Sequence, residues 1–215
     1  MNGFQGQPFD VLIYFVKYPE PGKVKTRLAR DVGHEKAAEL YRNLVETNLK
    51  VLAQVRESFR LILAFDPAQK EREIRSWLEP FQIIDFLPQK GATLGQRLED
   101  AFDFAFSGNA KHVMALGSDT MGLTPQIIKE GFEFLQDYDC VIGPARDGGY
   151  YLIGLSANGP AIFSHIPWST GMVYQSTVQY LEREELTYYK LPELEDLDEI
   201  KNLKPAWPAG KEACL

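Results

Sequence analysis

The sequence predicts an α/β fold, with a parallel-rich sheet carrying helices on both faces. Three observations lead there. Short apolar runs alternate with amphipathic helical stretches along most of the chain, the order that strand–helix–strand units impose. The runs at 11–16 (VLIYFV) and 113–116 (VMAL) show no polar alternation, as expected of strands buried on both faces. Charged residues then stand directly after these runs, a basic segment after the first and Asp119 after the second. Ligands of open α/β sheets bind outside the carboxyl ends of strands.

The first run is followed by Lys17-Tyr-Pro-Glu-Pro-Gly-Lys-Val-Lys-Thr-Arg-Leu-Ala-Arg30. Pro19, Pro21 and Gly22 force a loop, and Lys17, Lys23, Lys25, Arg27 and Arg30 crowd cations into an acidic chain of formal net charge −7. A cation-rich loop after the first strand suits a polyphosphate; a solvated basic surface loop is the competing reading. Lys17 and Val24 break the Walker A pattern, and no G-x-G-x-x-G occurs, which disfavours a dinucleotide site.

Residues 34–56 read as a helix, with Ala37, Tyr41, Leu44, Leu52 and Val55 on one stripe. A strand at 60–65, a short charged helix at 70–78 and a strand at 83–87 follow. The stretch 96–106 is amphipathic, with Leu98, Phe102, Ala105 and Phe106 facing inward. Arg97 near its start opposes the helix dipole, so it binds an anion or pairs with Glu99 or Asp100. In the central stretch the 113–116 strand stops at Gly117-Ser118-Asp119. Thr124-Pro125 then starts a helix running to about residue 136. Strands at 140–145 and 150–154 flank Asp147-Gly148-Gly149. Asp119 is not needed as the helix cap, since Thr124 serves, whereas a plain turn explains Asp147 nearly as well as a catalytic role. Beyond residue 154 the chain is loop-rich, with a helix at 173–183 and an extended stretch at 186–191. Asp196 and Asp198 precede a short helix, where the dipole alone favours acids; a metal ligand is the functional alternative.

At 215 residues the chain fits one domain, with loose tails at 1–9 and 205–215. Its acidic balance argues against non-specific nucleic-acid binding, and no apolar run approaches a membrane span. The N-terminus lacks a signal-peptide pattern. Cys140 and Cys214 form neither a disulfide framework nor a zinc spacing, and His34, His112 and His165 are scattered. These features fit a cytoplasmic protein.

Five segments occur together and in order: PEPGKVKTRLA, LGSDTMGLT, GPARDGGYYLIGL, IPWST and EDLDEI. Together they resemble a bacterial transferase family, once labelled only as a domain of unknown function, with a glycosyltransferase-A-like fold. That family is related to guanylyltransferases that activate phospholactate or phosphoenolpyruvate. The resemblance spans about residues 11–203. It implies a three-layer α/β/α nucleotide-diphospho-sugar transferase fold with a mixed, mostly parallel sheet. It also implies a transferase dependent on Mg²⁺ or Mn²⁺, taking a nucleotide sugar or nucleoside triphosphate and a small-molecule acceptor.

By that resemblance Gly22, Lys25, Arg27 and Arg97 would serve the nucleotide, and Asp119 and Asp198 the metal. Asp119 and Asp147 would be catalytic, while Gly148, Gly149, Trp168, Ser169 and Thr170 would line the acceptor side. Met121 departs from the family's Pro-Gly after the aspartate, and Thr93 and Gln96 replace commonly acidic positions. Glycosyl transfer is preferred because P-x-P-G-x-x-K-T-R stands where sugar nucleotidyltransferases carry a glycine-rich, Arg-containing loop. Nucleotidyl transfer to a phosphorylated acceptor, and nucleotide binding without catalysis, remain as alternatives.

Overall fold

A computed structural model describes residues 7–156 and 162–200. Cys214, the expected tail at 205–215 and the His165 side chain lie outside the described residues. The expected N-terminal tail is too long by one residue, because Phe9 already opens the first strand.

The strands are β1 (Phe9–Lys17), β2 (Arg60–Asp66), β3 (Asp85–Pro88), β4 (Ala110–Gly117), β5 (Thr120–Met121), β6 (Cys140–Pro144), β7 (Tyr150–Ser156), β8 (Tyr188–Lys190) and β9 (Glu195–Asp196). The helices are α1 (Ala29–Val32), α2 (His34–Ala53), α3 (Glu71–Leu78), α4 (Leu94–Ser107), α5 (Pro125–Phe134) and α6 (Val173–Arg183). Seven strands form one sheet in the order β3-β2-β1-β4-β7-β6-β8. Only β7 runs against its neighbours, pairing antiparallel with both β4 and β6. The sheet is therefore mixed and mostly parallel, as expected.

Strand side chains alternate between faces, and β1 divides accordingly. Leu12, Tyr14 and Val16 enter the layer shared with α2, α3 and α5. Val11 and Ile13 enter the opposite layer with α4 and α6. Both layers are apolar, so the strand is apolar at every central position.

Helix starts follow local chemistry. Thr124 Oγ1 accepts the Ile127 N–H at 3.4 Å, with Pro125 in the first turn. Thr93 and Gln96 form a reciprocal capping box at the start of α4. The family departures at these two positions thus have a structural job.

Asp196, expected ahead of a short helix, itself lies in β9, which pairs antiparallel with β5 through Thr120↔Asp196 and Met121↔Glu195. This ribbon carries the acidic segment back to the end of β4.

Candidate active site

Strand order reverses between β1 and β4: β1 has β2 on one side and β4 on the other. Crevices at such switch points receive ligands in open α/β sheets. The loop after β1 and Gly117-Ser118-Asp119 after β4 meet here in a cleft lined by Lys17, Lys25, Arg27, Tyr41, Asp119 and Asp198.

The loop after β1 is shaped by its backbone and pinned by two apolar side chains. Gly22 has φ 78° and Lys25 φ 47°, so the chain bends twice through the left-handed region. Val24 and Leu28 are buried on either side of Lys25. Leu28 joins Ala37, Leu40, Leu44, Met121 and Leu197 in a small separate apolar cluster. That cluster ties the basic loop, α2, β5 and the acidic segment together. The Leu197 N–H also donates to the Asp119 carbonyl at 2.9 Å.

The result is a compact charge array. Lys25 Nζ lies 3.0 Å from Asp119 Oδ2 and 3.2 Å from Asp198 Oδ1, with its side chain only 5% exposed. Arg27 Nη1 reaches Asp198 Oδ2 at 3.6 Å from a largely exposed side chain. Asp196 stands behind this pair, its oxygen 3.4 Å from Thr120 Oγ1. Burial pushes its carboxyl up to about 7; the charges of Asp119, Asp147 and Asp198 add to the rise and Lys25 opposes it. Below the array, Tyr41 Oη bonds Ser118 Oγ at 2.8 Å and accepts the Lys17 N–H at 2.9 Å. Burial, with the Asp119 charge, keeps the Tyr41 phenol protonated by raising its pKa.

The site residues expected from sequence divide into three groups. Lys25, Arg27, Asp119 and Asp198 come together as expected, and Gly22 shapes their loop. Asp147, Gly148 and Gly149 form a turn docked on Gly171 and the start of α6, where the Tyr174 N–H donates to the Gly148 carbonyl at 2.9 Å. Asp147 Oδ1 accepts the Gly149 N–H at 2.8 Å, while Gly148 has φ 89° and leaves no room for a Cβ, which would lie 2.1 Å from the Gly171 carbonyl oxygen. Asp147 fills the turn-forming role and still acts electrically on Asp196.

The third group is engaged in loop contacts. Arg97 pairs with neither Glu99 nor Asp100. It donates to the Gly91 carbonyl at 3.1 Å and to Gln89 Oε1 at 3.2 Å, and lies 3.4 Å from Asp66 Oδ2. It braces the loop after β3 onto the end of β2. Trp168 is half-buried, and its indole N–H donates to the Phe163 carbonyl at 3.0 Å. The Thr170 hydroxyl donates to the Pro167 carbonyl at 2.7 Å and accepts the Met172 N–H at 3.2 Å. Both hold the loop through these polar atoms, and Ser169 is an exposed residue at φ 64°.

Sequence reasoning missed Tyr41 and Ser118. Tyr41 occupies an apolar-stripe position that signals core, and nothing local marks its hydroxyl as reaching β4. Asp196 was visible, but its pairing with β5 depends on contacts far along the chain.

Over 97% of this chain and 90% of the other, the structure matches that of a Desulfovibrio desulfuricans G20 protein provisionally described as a nucleotide-diphospho-sugar transferase, with 37% identity and a TM-score of 0.87. Two more distant matches share the fold at 13% identity each. One is a 4-diphosphocytidyl-2C-methyl-D-erythritol synthase from Anaerococcus prevotii DSM 20548 (TM-score 0.58, 91% of this chain and 95% of that one). The other is a nucleotidyl transferase from Methanothermobacter thermautotrophicus (TM-score 0.60, 92% and 94%). No curated protein matches the sequence.

The fold and the 37% identical relative place the chain among the transferases of nucleotide-diphospho-sugar transferase fold. Within them it belongs to the family described as "uncharacterized protein conserved in bacteria" (DUF2064), which matches residues 48–170. Among the described residues no helix is long and apolar enough to cross a membrane.

Proposed function

We propose that this transferase moves a glycosyl group from a nucleotide sugar to a small-molecule acceptor, with a divalent cation at the switch-point cleft. The observation that carries the reading is the convergence of Lys25, Asp119 and Asp198 within 3.2 Å contacts at the ends of β1 and β4. The 37% identical relative, provisionally described as a nucleotide-diphospho-sugar transferase, supports the sugar donor.

The residues fit a metal held jointly with substrate better than one held by protein alone. Among the described residues no group of three or more Asp, Glu, His or Cys could cage an ion. Mg²⁺, however, is commonly bound by one or two carboxylates together with substrate phosphates and water. Asp119 and Asp198 supply two such carboxylates, aimed at one point. When bound, Mg²⁺ or Mn²⁺ would supply positive charge against the donor phosphates.

Lys25 and Arg27 would neutralise the charge that grows on the departing nucleoside diphosphate, an effect fixed in place before reaction. The bend at Gly22 lets the loop backbone approach the phosphates. On the far rim, the Asp147-Gly148-Gly149 turn and Ser169 would face the acceptor. Asp147 is the candidate base there, since one of its oxygens is taken by the Gly149 N–H and the other is left for a proton.

A thermal-shift panel of nucleotide sugars and nucleoside triphosphates, each with and without Mn²⁺, tests this, because a ligand stabilises the fold it binds. Mn²⁺-dependent stabilisation by one nucleotide sugar is the expected result and names the donor. Stabilisation by a triphosphate alone would replace glycosyl transfer with nucleotidyl transfer. Stabilisation that ignores Mn²⁺ would replace catalysis with simple nucleotide binding.

A further inference from the structure

Resting on that reading of the cleft, we propose that the Lys25 ammonium is a resident cation. The cleft then takes metal and polyphosphate as a single ligand, the metal–polyphosphate complex, and binds neither partner well alone.

The geometry gives the reason. Lys25 Nζ sits 3.0 Å from Asp119 Oδ2 and 3.2 Å from Asp198 Oδ1. It therefore stands at the point where the two carboxylates converge, which is where a divalent ion sharing them would stand. A Mg²⁺ ion needs its oxygens at about 2.0–2.1 Å, so ammonium and ion cannot both keep those contacts. The Lys25 side chain is 5% exposed, and a buried cation moved off its partners needs a new anion.

Charge counting shows why each component alone is disfavoured. Lys25 and Arg27 already offset Asp119 and Asp198. A divalent ion alone leaves two cations without partners. A polyphosphate alone meets the carboxylates of Asp119 and Asp198, and it can take Lys25 only by stripping them of their cation. When both arrive, the ion takes the carboxylates while Lys25 and Arg27 turn to the phosphate. Val24 and Leu28 stay buried, so the change needs rotation of the Lys25 and Arg27 side chains and no movement of the loop.

The test uses the full chain and isothermal titration calorimetry with three probes: Mn²⁺ alone, pyrophosphate alone in EDTA, and equimolar Mn²⁺ and pyrophosphate. In the wild-type protein the complex should bind about tenfold or more tighter than either component, a coupling of ordinary size that must be equal in both directions. Lys25→Met should bind Mn²⁺ alone about tenfold tighter than wild type and the complex more weakly, a crossover that loss of structure does not produce. Wild-type affinity for Mn²⁺ alone equal to that for the complex overturns the proposal without relying on any variant. So does a folded Lys25→Met, checked by circular dichroism, with unchanged or weaker Mn²⁺ binding. If the nucleotide panel gives Mn²⁺-dependent shifts while the coupling is absent, the resident-cation proposal falls alone. If the panel is silent as well, the reading of the cleft falls with it.

Discussion

The Leu197 N–H donates to the Asp119 carbonyl at 2.9 Å, and Leu197 itself is buried against Leu28 and Met121. One residue thus fixes the acidic segment to the end of β4 and to the basic loop. The charge array depends on an apolar anchor.

Leu197→Ala should accordingly act twice. Truncating a buried leucine costs about 2–5 kcal/mol, which urea denaturation would register. Mn²⁺-dependent stabilisation by ligand should fall further than this loss explains, because Asp198 no longer stands opposite Asp119. Full retention of the Mn²⁺ effect in a destabilised variant would show that the anchor does not set the site.

Asp119→Ala should abolish the Mn²⁺-dependent thermal shift while the far-ultraviolet circular dichroism spectrum stays unchanged. Asp119 lies in the loop at the end of β4 and is about half exposed, so the sheet does not need its side chain. Persistence of the shift would remove Asp119 from the metal set.

Lys25→Ala and Arg27→Ala should both weaken donor binding, but unequally. Arg27 is 72% exposed and 3.6 Å from Asp198, so its contribution is screened by solvent and salt. Lys25 is buried, so the larger loss, and the smaller dependence on ionic strength, should follow Lys25→Ala. Affinity titrations at two salt concentrations distinguish them, and equal donor affinity in both variants and wild type would withdraw the phosphate role.

Asp196 gives a pH prediction. Its carboxyl is raised from an ordinary 3.8 to about 7, so the folded state holds its proton more tightly than the unfolded state. By linkage, that stabilisation is complete below about pH 4 and lost as pH rises through about 7. In metal-free protein, Asp196→Asn should unfold at nearly the wild-type temperature at pH 4 and at a higher temperature than wild type at pH 8. A difference that does not change with pH would contradict the buried, charge-crowded setting.

Much of the fold was legible because it is written in local signals. The apolar run of β1 needs a two-sided burial, Thr124-Pro125 needs a helix, and Pro19, Pro21 and Gly22 need a loop. The positions of Asp119 and the basic segment at strand ends followed from the same patterns. Helix and strand boundaries moved by a few residues, as at α5, which ends at Phe134. Ends are set by weak caps and by contacts from elsewhere.

What the sequence determined by itself was the alternation of strands and helices, the two strand-end charges and the loop between them, since each depends on neighbours a few residues away. Tertiary structure decided which of those charges meet. Whether Arg97 binds a ligand or braces a loop depended on Asp66 and Gln89 arriving beside it. Whether Asp196 lies in a loop or a strand depended on β5 offering it a partner. Whether Tyr41 is only a core ring depended on Ser118 standing 2.8 Å from its hydroxyl. Hydrogen bonds and ion pairs act over a few ångströms, and chain separation carries no information about which groups folding brings within that range.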